Sequence, residues 1–155
     1  MAKQAWELLQ EQIKVSSAEE LKQLCQELLA ENLLQAARWN ELLDVLEEAV
    51  CVIDAENRVT GWNRRAELLY GIASAEIFGQ PIGKFFSNLM VTQAMRDGLL
   101  VREAYHKPCP GTHVLINAQP VRLEGKIVGG VSAERDITEV VNLNQQLSEA
   151  GNEVR

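Results

Sequence analysis

The polar side chains best placed to hold a small molecule lie in a run of alternating residues, HVLINAQPV, at positions 113–121. Alternation along a strand puts Asn117 and Gln119 on one face. Two neighbouring amides can contact a polar ligand, and Arg96 or Arg102 can pair with an anionic group on it. We therefore predict Asn117, Gln119, Arg96 and Arg102 as ligand-pocket residues. The pattern leaves open that both amides face solvent or the N-terminal helices instead.

A second polar cluster stands in VSAERDITEV, residues 131–140, where a predicted strand runs directly into a predicted helix. We expect this helix to span Ile137 to Ala150 and to end at Gly151. Asp136 lies at its first turn, where a carboxylate accepts hydrogen bonds from free backbone N–H groups and contributes about 0.5–2 kcal/mol. Thr138 can bond back to the strand or turn. The local pattern fits two interpretations, a plain helix cap and a hinge whose geometry depends on the sheet.

The residue types that catalyse reactions or bind metals are few and widely separated. Cys25, Cys51 and Cys109 fit neither a disulfide framework nor a zinc motif, and they predict ordinary thiols in a reducing cytoplasm. His106 and His113 flank KPCPG, a predicted turn, and we expect both to be exposed. With two histidines, no phosphate-binding loop and no metal-ligand cluster in the sequence, we predict no enzyme activity and no metal site.

Composition and charge narrow the classes of partner. The chain has 155 residues, of which 46% are hydrophobic, so it can bury a core. Residues 1–50 hold 4 basic and 10 acidic side chains, whereas the remainder is nearly neutral. Without a basic stripe, we expect no direct binding to nucleic acid. No apolar run approaches the roughly 20 residues of a membrane span, and polar residues interrupt any signal-peptide core, so we expect a cytoplasmic protein.

The first third of the chain predicts helices. Residues 2–14 are amphipathic, and a second helix should run from Ala18 to about Glu48, because it contains no glycine or proline. Ser17 and Glu20 form a capping-box pattern at its start, after a break at VSS. The apolar stripe drifts along the second helix, so a helical hairpin or short bundle fits better than a two-stranded coiled coil. A second subunit would complete such a bundle.

The rest of the chain predicts a small domain of mixed helices and strands over residues 49–138. AVCVIDAENRVTGWN has the pattern of two short strands, and RRAELLYG that of a short helix, which Asn63 caps and Gly71 ends. A longer helix is expected to start near Ser87. LVREAYH, THVLINAQPVRL and KIVGGVSAE then predict three strands, and the tight turns between them make these strands antiparallel neighbours.

This order of elements resembles a PAS domain over roughly residues 40–138. VIDAENRVTGWNRRAELLYG is similar to the opening hairpin and first helix of the family, and IFGQPIGKFF to the loop and helix that follow. HVLINAQPVRLEGKIVGGVSAERDITE resembles the closing hairpin and exit. The closing stretch particularly resembles PAS domains that precede the ATPase of sigma-54-dependent transcriptional activators, and histidine kinases use similar domains.

The resemblance implies an α+β fold with a five-stranded antiparallel sheet and short helices on one face. An N-terminal helical hairpin would precede it, and an exit helix would follow. PAS domains bind a small molecule or a partner and pass the change to an output domain. RDITE resembles the joint where the signal leaves, which assigns signal relay to Asp136, Ile137 and Thr138. The expected segments are residues 1–48 for dimerisation, 49–138 for the PAS domain and 139–155 for a linker helix to a missing output domain.

The resemblance also bears on cofactors and partners. Haem-binding members carry a histidine on the long helix before the third strand, and SNLMVTQAMRDGLL has none. Light-sensing flavin members carry a reactive cysteine in an NCRFLQ-like helix, which has no match here. We therefore expect neither haem nor covalent flavin. Non-covalent flavin stays open without a motif to support it, and otherwise we expect a small organic ligand or none. The predicted function is sensing within a cytoplasmic regulator. The alternatives are a ligand-free assembly module and the sensor of a histidine kinase, and in each case we expect a homodimer through the N-terminal helices and the sheet face.

Overall fold

The structure is a computed structural model that describes residues 2–15, 17–87 and 89–154. The chain divides into two compact units, of which the first ends at Glu41 and the second begins at Leu42. Ser16, in the predicted break between the first two helices, lies outside the described residues. No helix within the described ranges is long and apolar enough to cross a membrane.

Two helices, α1 (Ala2–Val15) and α2 (Ala18–Val45), form the N-terminal part of the chain. The Ser17 N–H donates to the Glu20 carboxylate at 3.0 Å, and the Glu20 N–H donates to the Ser17 hydroxyl at 3.4 Å. This reciprocal pair confirms the capping box at the start of α2. The helix ends at Val45, slightly earlier than the predicted end near Glu48, and residues 46–48 connect it to β1, which begins at Ala49.

The second unit contains one antiparallel sheet of five strands in the order β2-β1-β5-β4-β3. The last strand of the sequence, β5, therefore pairs with the first strand, β1, in the centre of the sheet. The predicted α+β class with a five-stranded antiparallel sheet is confirmed. The strands are β1 (Ala49–Asp54), β2 (Val59–Trp62), β3 (Val101–Cys109), β4 (Thr112–Leu123) and β5 (Lys126–Asp136).

Short helices cover one face of the sheet and bury the inward side chains of its strands. Val114, Ile116 and Ala118 of β4 are almost fully buried beneath α5, because alternate residues of a strand share one face. The last helix, α6, continues directly from β5 and buries none of its described residues. The helices are α3 (Arg64–Tyr70), α4 (Ser74–Ile77), α5 (Met90–Asp97) and α6 (Thr138–Glu153), with a 3-10 turn at Ile82–Lys84.

The side chain of Asn63 joins the start of α3 to β1 and to the end of α2. Its carbonyl oxygen accepts from the N–H groups of Val50 at 2.9 Å and Ala66 at 3.0 Å. Its amide donates to the carbonyl oxygens of Leu43 at 2.8 Å and Glu48 at 2.9 Å. The side chain is therefore a helix cap and also a buried connection between three elements.

Several element boundaries differ from the sequence-based expectation. The long helix begins at Met90 rather than near Ser87. Strand β3 continues to Cys109, so the turn is shorter than KPCPG. Helix α6 continues through Gly151, where it was predicted to end. This position is exposed, and no atom lies within 4 Å of where a Cβ would be, so no neighbouring residue forces the helix to stop there. In contrast, Gly71 ends α3 as predicted, in the left-handed conformation at φ +66°.

Candidate functional site

A small cavity lies between the inner face of the sheet and the helices that cover it. About 20 Å³ of it is open to the centre of a water-sized sphere, which is room for a group of about one or two heavy atoms. Its polar lining comes from His106, Ser132 and Glu134, and its aromatic lining comes from Trp62, Tyr70 and Phe86. The cavity therefore combines ring surfaces with three hydrogen-bonding side chains.

The polar lining from β5 follows from strand geometry. Ser132 and Glu134 are two residues apart, so both point from the same face of the strand. Ser132 lies between Cys51 of β1 and Ala118 of β4, and Glu134 lies opposite Ile116 of β4. The central position of β5 thus places two polar side chains beneath the helices.

Glu134 is partly buried and is hydrogen-bonded to α3. The Tyr70 hydroxyl donates to the Glu134 carboxyl group. Burial raises the pKa of Glu134, and the hydrogen bond from Tyr70 opposes that rise. Burial, followed by the adjacent Glu134 charge, also raises the pKa of Tyr70. The pair therefore favours the protonated forms of both groups.

The Ser132 hydroxyl is buried without a hydrogen-bond partner in the described part of the chain, and the residue is 1% exposed. A buried polar group left unpaired costs about 1–3 kcal/mol. Cys51 lies opposite it on β1, and burial raises the pKa of the Cys51 thiol, so this group stays protonated. Ser132 is thus a hydroxyl at the cavity wall with unused hydrogen-bonding capacity.

Three aromatic rings pack together along one side of the cavity. The ring centroids of Trp62 and Tyr70 are 5.6 Å apart, and those of Tyr70 and Phe86 are 4.9 Å apart in an edge-on arrangement. The indole N–H of Trp62 donates to the Ile72 carbonyl at 2.9 Å. Since that N–H is already satisfied, Trp62 offers the cavity only its ring surface.

The joint between β5 and α6 is held by hydrogen bonds to β4. The Asp136 carboxylate accepts from the Thr138 N–H at 2.9 Å. The Ile137 N–H donates to the His113 carbonyl at 2.9 Å, and the His113 N–H donates to the Thr138 hydroxyl at 3.0 Å. Arg135 pairs with Glu103 at 2.7 Å rather than with its neighbour Asp136. The first turn of α6 is therefore fixed to the start of β4.

Comparison with known protein families identifies the family to which this sheet and its covering helices belong. The family model for the PAS fold matches residues 37–137, which is more than half of the chain. The chain belongs to the PAS family. No curated protein sequence matches it.

Solved structures share the PAS fold at low sequence identity. A chain of the E. coli DhaR(N)–DhaL complex matches with a TM-score of 0.63 and 17% identity, over 76% of this chain and 41% of its own length. The PAS domain of a Colwellia psychrerythraea protein matches with a TM-score of 0.52 and 24% identity, over 69% and 98%. The histidine kinase ThkA, solved with the response regulator TrrA, matches with a TM-score of 0.54 and 21% identity, over 73% and 37%. This chain spans about two fifths of the first of these, and the likenesses show the fold.

The predicted ligand-pocket residues do not line the internal cavity of this PAS domain. Asn117 and Gln119 border a groove on the opposite face of the sheet, and Arg102 lies beside them. Arg96 is on α5, where it pairs with Asp97 at 3.1 Å. The inward face of β4 is the apolar one, because α5 packs against it.

Asn117 already has partners on the outer face. Its carbonyl oxygen accepts from the Glu103 N–H at 3.0 Å, and its amide donates to the Glu103 carboxylate at 3.3 Å. Glu103 takes a left-handed φ of +44° where the β3–β4 register shifts. Asn117 therefore supports a bulge in β3. Ligand contacts by the four residues remain a prediction for surfaces outside the cavity.

The expectation that His106 is exposed is wrong. The residue is 6% exposed and lines the cavity, because β3 continues past it and alternation turns its side chain inward. His113 is partly buried, and its Nδ1 lies 2.6 Å from the Tyr105 hydroxyl. Ser132 and Glu134 of β5 were missed because polar residues on a strand ordinarily indicate the solvent face. Tyr70 of α3 was missed because no local pattern links it to Glu134, which lies 64 residues further along the chain.

Proposed function

We propose that the chain is the sensory PAS module of a cytoplasmic transcriptional regulator. It binds a small molecule in the cavity and relays the change through α6. The resemblance of the closing strands to PAS domains of sigma-54-dependent activators favours that class. A sensor of a histidine kinase is the alternative, since such kinases use similar domains and ThkA shares the fold.

The observation that carries the proposal is the course of β5. Ser132 and Glu134 line the cavity, and Asp136, two residues further along the same face, holds the first turn of α6. Ser132 and Asp136 are four residues apart, which corresponds to about 13 Å along a strand. A displacement of β5 by a bound molecule would therefore move Asp136, Ile137 and Thr138 directly, because no loop separates β5 from α6.

A surface groove supports the same connection. It is lined by Glu47, Arg65, Glu134 and Asp136, together with apolar residues of α3. Glu134 thus borders the cavity on one side and, on the other, a groove that contains the capping carboxylate Asp136. A change in the charge or position of Glu134 alters the electrostatic surroundings of that cap.

The relay is tested by amide hydrogen exchange on the full chain. Ser132→Val changes the cavity wall by replacing the hydroxyl with a methyl group and adding a second methyl group, and we expect altered exchange at residues 137–150. Thr60→Val, which replaces a hydroxyl with a methyl group at an exposed position on β2, is the control. Unchanged exchange in the Ser132 variant, with a native circular dichroism spectrum, would refute the relay. Native mass spectrometry after mild purification shows whether a molecule accompanies the chain.

A ligand-free assembly module is the second candidate, and the small volume of the cavity favours it.

In both candidates we propose a homodimer through the N-terminal helices and the outer sheet face. Leu29 and Leu33 of α2 are 61% and 64% exposed and lie one helical turn apart, so together they form an apolar patch that a partner can cover. Light scattering after size exclusion should show a dimer that Leu29→Glu and Leu33→Glu weaken and Gln26→Glu does not. A monomer for the unaltered chain would exclude the assembly role.

A further inference from the structure

We propose that the cavity binds a small organic ammonium ion, held by the Glu134 carboxylate, the Ser132 hydroxyl and the ring surface of Trp62. This inference rests on the proposed sensory function and names the chemical class of the molecule that is sensed. The observations that support it are the size of the cavity, the hydrogen-bonding capacity left in its wall and the charge of its lining.

Size limits the ligand to a few atoms. About 20 Å³ is open to the centre of a water-sized sphere, so the space that the sphere itself occupies is larger and admits about one or two heavy atoms. An ammonium group, alone or with one methyl group, fits that space. A longer amine would require the packed rings of Trp62, Tyr70 and Phe86 to move apart.

The wall offers acceptors and ring surfaces to a donor-rich ligand. The Ser132 hydroxyl has no partner in the described residues, so its lone pairs are available. The Trp62 N–H is used by Ile72, and the Tyr70 O–H is used by Glu134. An alkylammonium head carries three N–H donors and a positive charge, which match a hydroxyl, a carboxylate and an aromatic face.

The Glu134 carboxyl group, once ionised, gives the lining the right sign for a cation. No lysine or arginine of the described residues forms an ion pair with Glu134; the ion pairs join Arg64 to Glu67, Arg96 to Asp97, and Arg135 to Glu103. Arg65 borders only the groove on the far side of Glu134. A carboxylate that no lysine or arginine of the described residues pairs with, beside aromatic rings, attracts a positive ligand.

Binding exchanges one proton. Burial raises the pKa of Glu134, so the carboxyl group holds a proton more readily in the empty site. When the ammonium ion enters, Glu134 loses this proton to solvent and the carboxylate pairs with the cation, so the charge of the cavity is unchanged. Tyr70, Cys51 and His106 also face the cavity, and the raised pKa values of Tyr70 and Cys51 keep these two groups neutral. Because binding releases the Glu134 proton, it strengthens as pH rises through the pKa of Glu134, and it weakens again where the ligand itself loses its ammonium proton.

The experiment is an NMR titration of the full chain at pH 8 with methylammonium chloride. Methanol, which has the same number of heavy atoms without the charge, and potassium chloride at equal ionic strength are the comparison ligands. We expect saturable shifts at Ser132 and Glu134 with methylammonium alone. Glu134→Gln should weaken binding about tenfold or more, and Ser132→Ala should weaken it to a smaller degree. Glu103→Gln, on the outer face of the sheet, should leave it unchanged.

The outcomes separate this inference from the proposed function. Equal binding of methanol or potassium, or undiminished binding by the Glu134 variant, would overturn the ammonium assignment and leave the sensory cavity standing. If none of the three ligands binds, the ammonium assignment also fails. Native mass spectrometry and the Ser132→Val exchange experiment then decide the sensory role by themselves.

Discussion

Glu134 and Asp136 lie on the same face of β5, and each accepts a hydrogen bond from a different helix. Glu134 accepts from the Tyr70 hydroxyl of α3 at the cavity, and Asp136 accepts from the Thr138 N–H at the start of α6. Two residues of one central strand thus join the covering helices to the exit helix. The contacts that hold this strand and its neighbours in place can each be tested by a single substitution.

Removing the Asn63 side chain should destabilise the domain strongly. Asn63→Ala removes four hydrogen bonds and leaves the N–H of Val50 and the carbonyl of Leu43 without their partner. We expect the free energy of unfolding to fall by about 2–4 kcal/mol. Urea denaturation followed by circular dichroism measures this. Asn144→Ala, at an exposed position on α6, should change the value by less than about 0.5 kcal/mol.

Gly129 should not tolerate a side chain, because β5 approaches β1 closely there. An added Cβ would lie 2.3 Å from the Ile53 carbonyl oxygen, which belongs to the backbone and cannot move aside cheaply. We expect Gly129→Ala to lower the free energy of unfolding by about 1–3 kcal/mol. Gly83→Ala, where nothing lies within 4 Å, is the control. Equal stability of the two variants would show that β5 can shift away from β1.

Stability should depend on pH through Glu134. Because burial raises the pKa of Glu134 above its ordinary value of 4.5, the folded state binds this proton more tightly than the unfolded state. The contribution is therefore fully present below pH 4.5 and is lost as pH rises through the folded-state pKa. The difference in unfolding free energy between the unaltered chain and Glu134→Gln should decrease from pH 4.5 towards pH 8. A difference that increases with pH would contradict the burial of this carboxyl group.

Thr138→Val should loosen the start of α6 with little effect on the rest of the domain. The valine keeps the shape of the side chain and loses the acceptor for the His113 N–H. Loss of such a bond costs about 1 kcal/mol, so amide exchange in the first turns of α6 should be several times faster. Ser148→Ala, exposed on the same helix, should leave the exchange rates unchanged. Equal rates in both variants would mean that Thr138 does not hold the joint.

Local signals in the sequence predicted most of the architecture. Ser17 with Glu20, and Gly71 after α3, mark real helix boundaries, because caps depend on residues adjacent in sequence. The α+β class followed from the order of the strands and helices. The strand boundaries near Cys109 were harder to predict, since two prolines within KPCPG suggested a turn throughout.

The site was predicted less well, since it depends on which face of each strand the helices cover. The apolar face of β4 is covered as alternation suggests, and this excludes Asn117 and Gln119 from the cavity. On β5 the polar residues Ser132 and Glu134 are the covered ones, which reverses the usual pattern. Only the pairing of β5 with both β1 and β4, which is a long-range contact, reveals this.

The absence of buried residues among those described in α6 has a thermodynamic consequence. A helix of 16 residues is only marginally stable in water, because ordering its first turn is costly. Here that first turn is already ordered by the bonds of Ile137 and Thr138 to His113. Loss of those bonds would therefore unfold the segment as well as reorient it. A signal that leaves the sheet can thus take the form of a change in the helical content of α6.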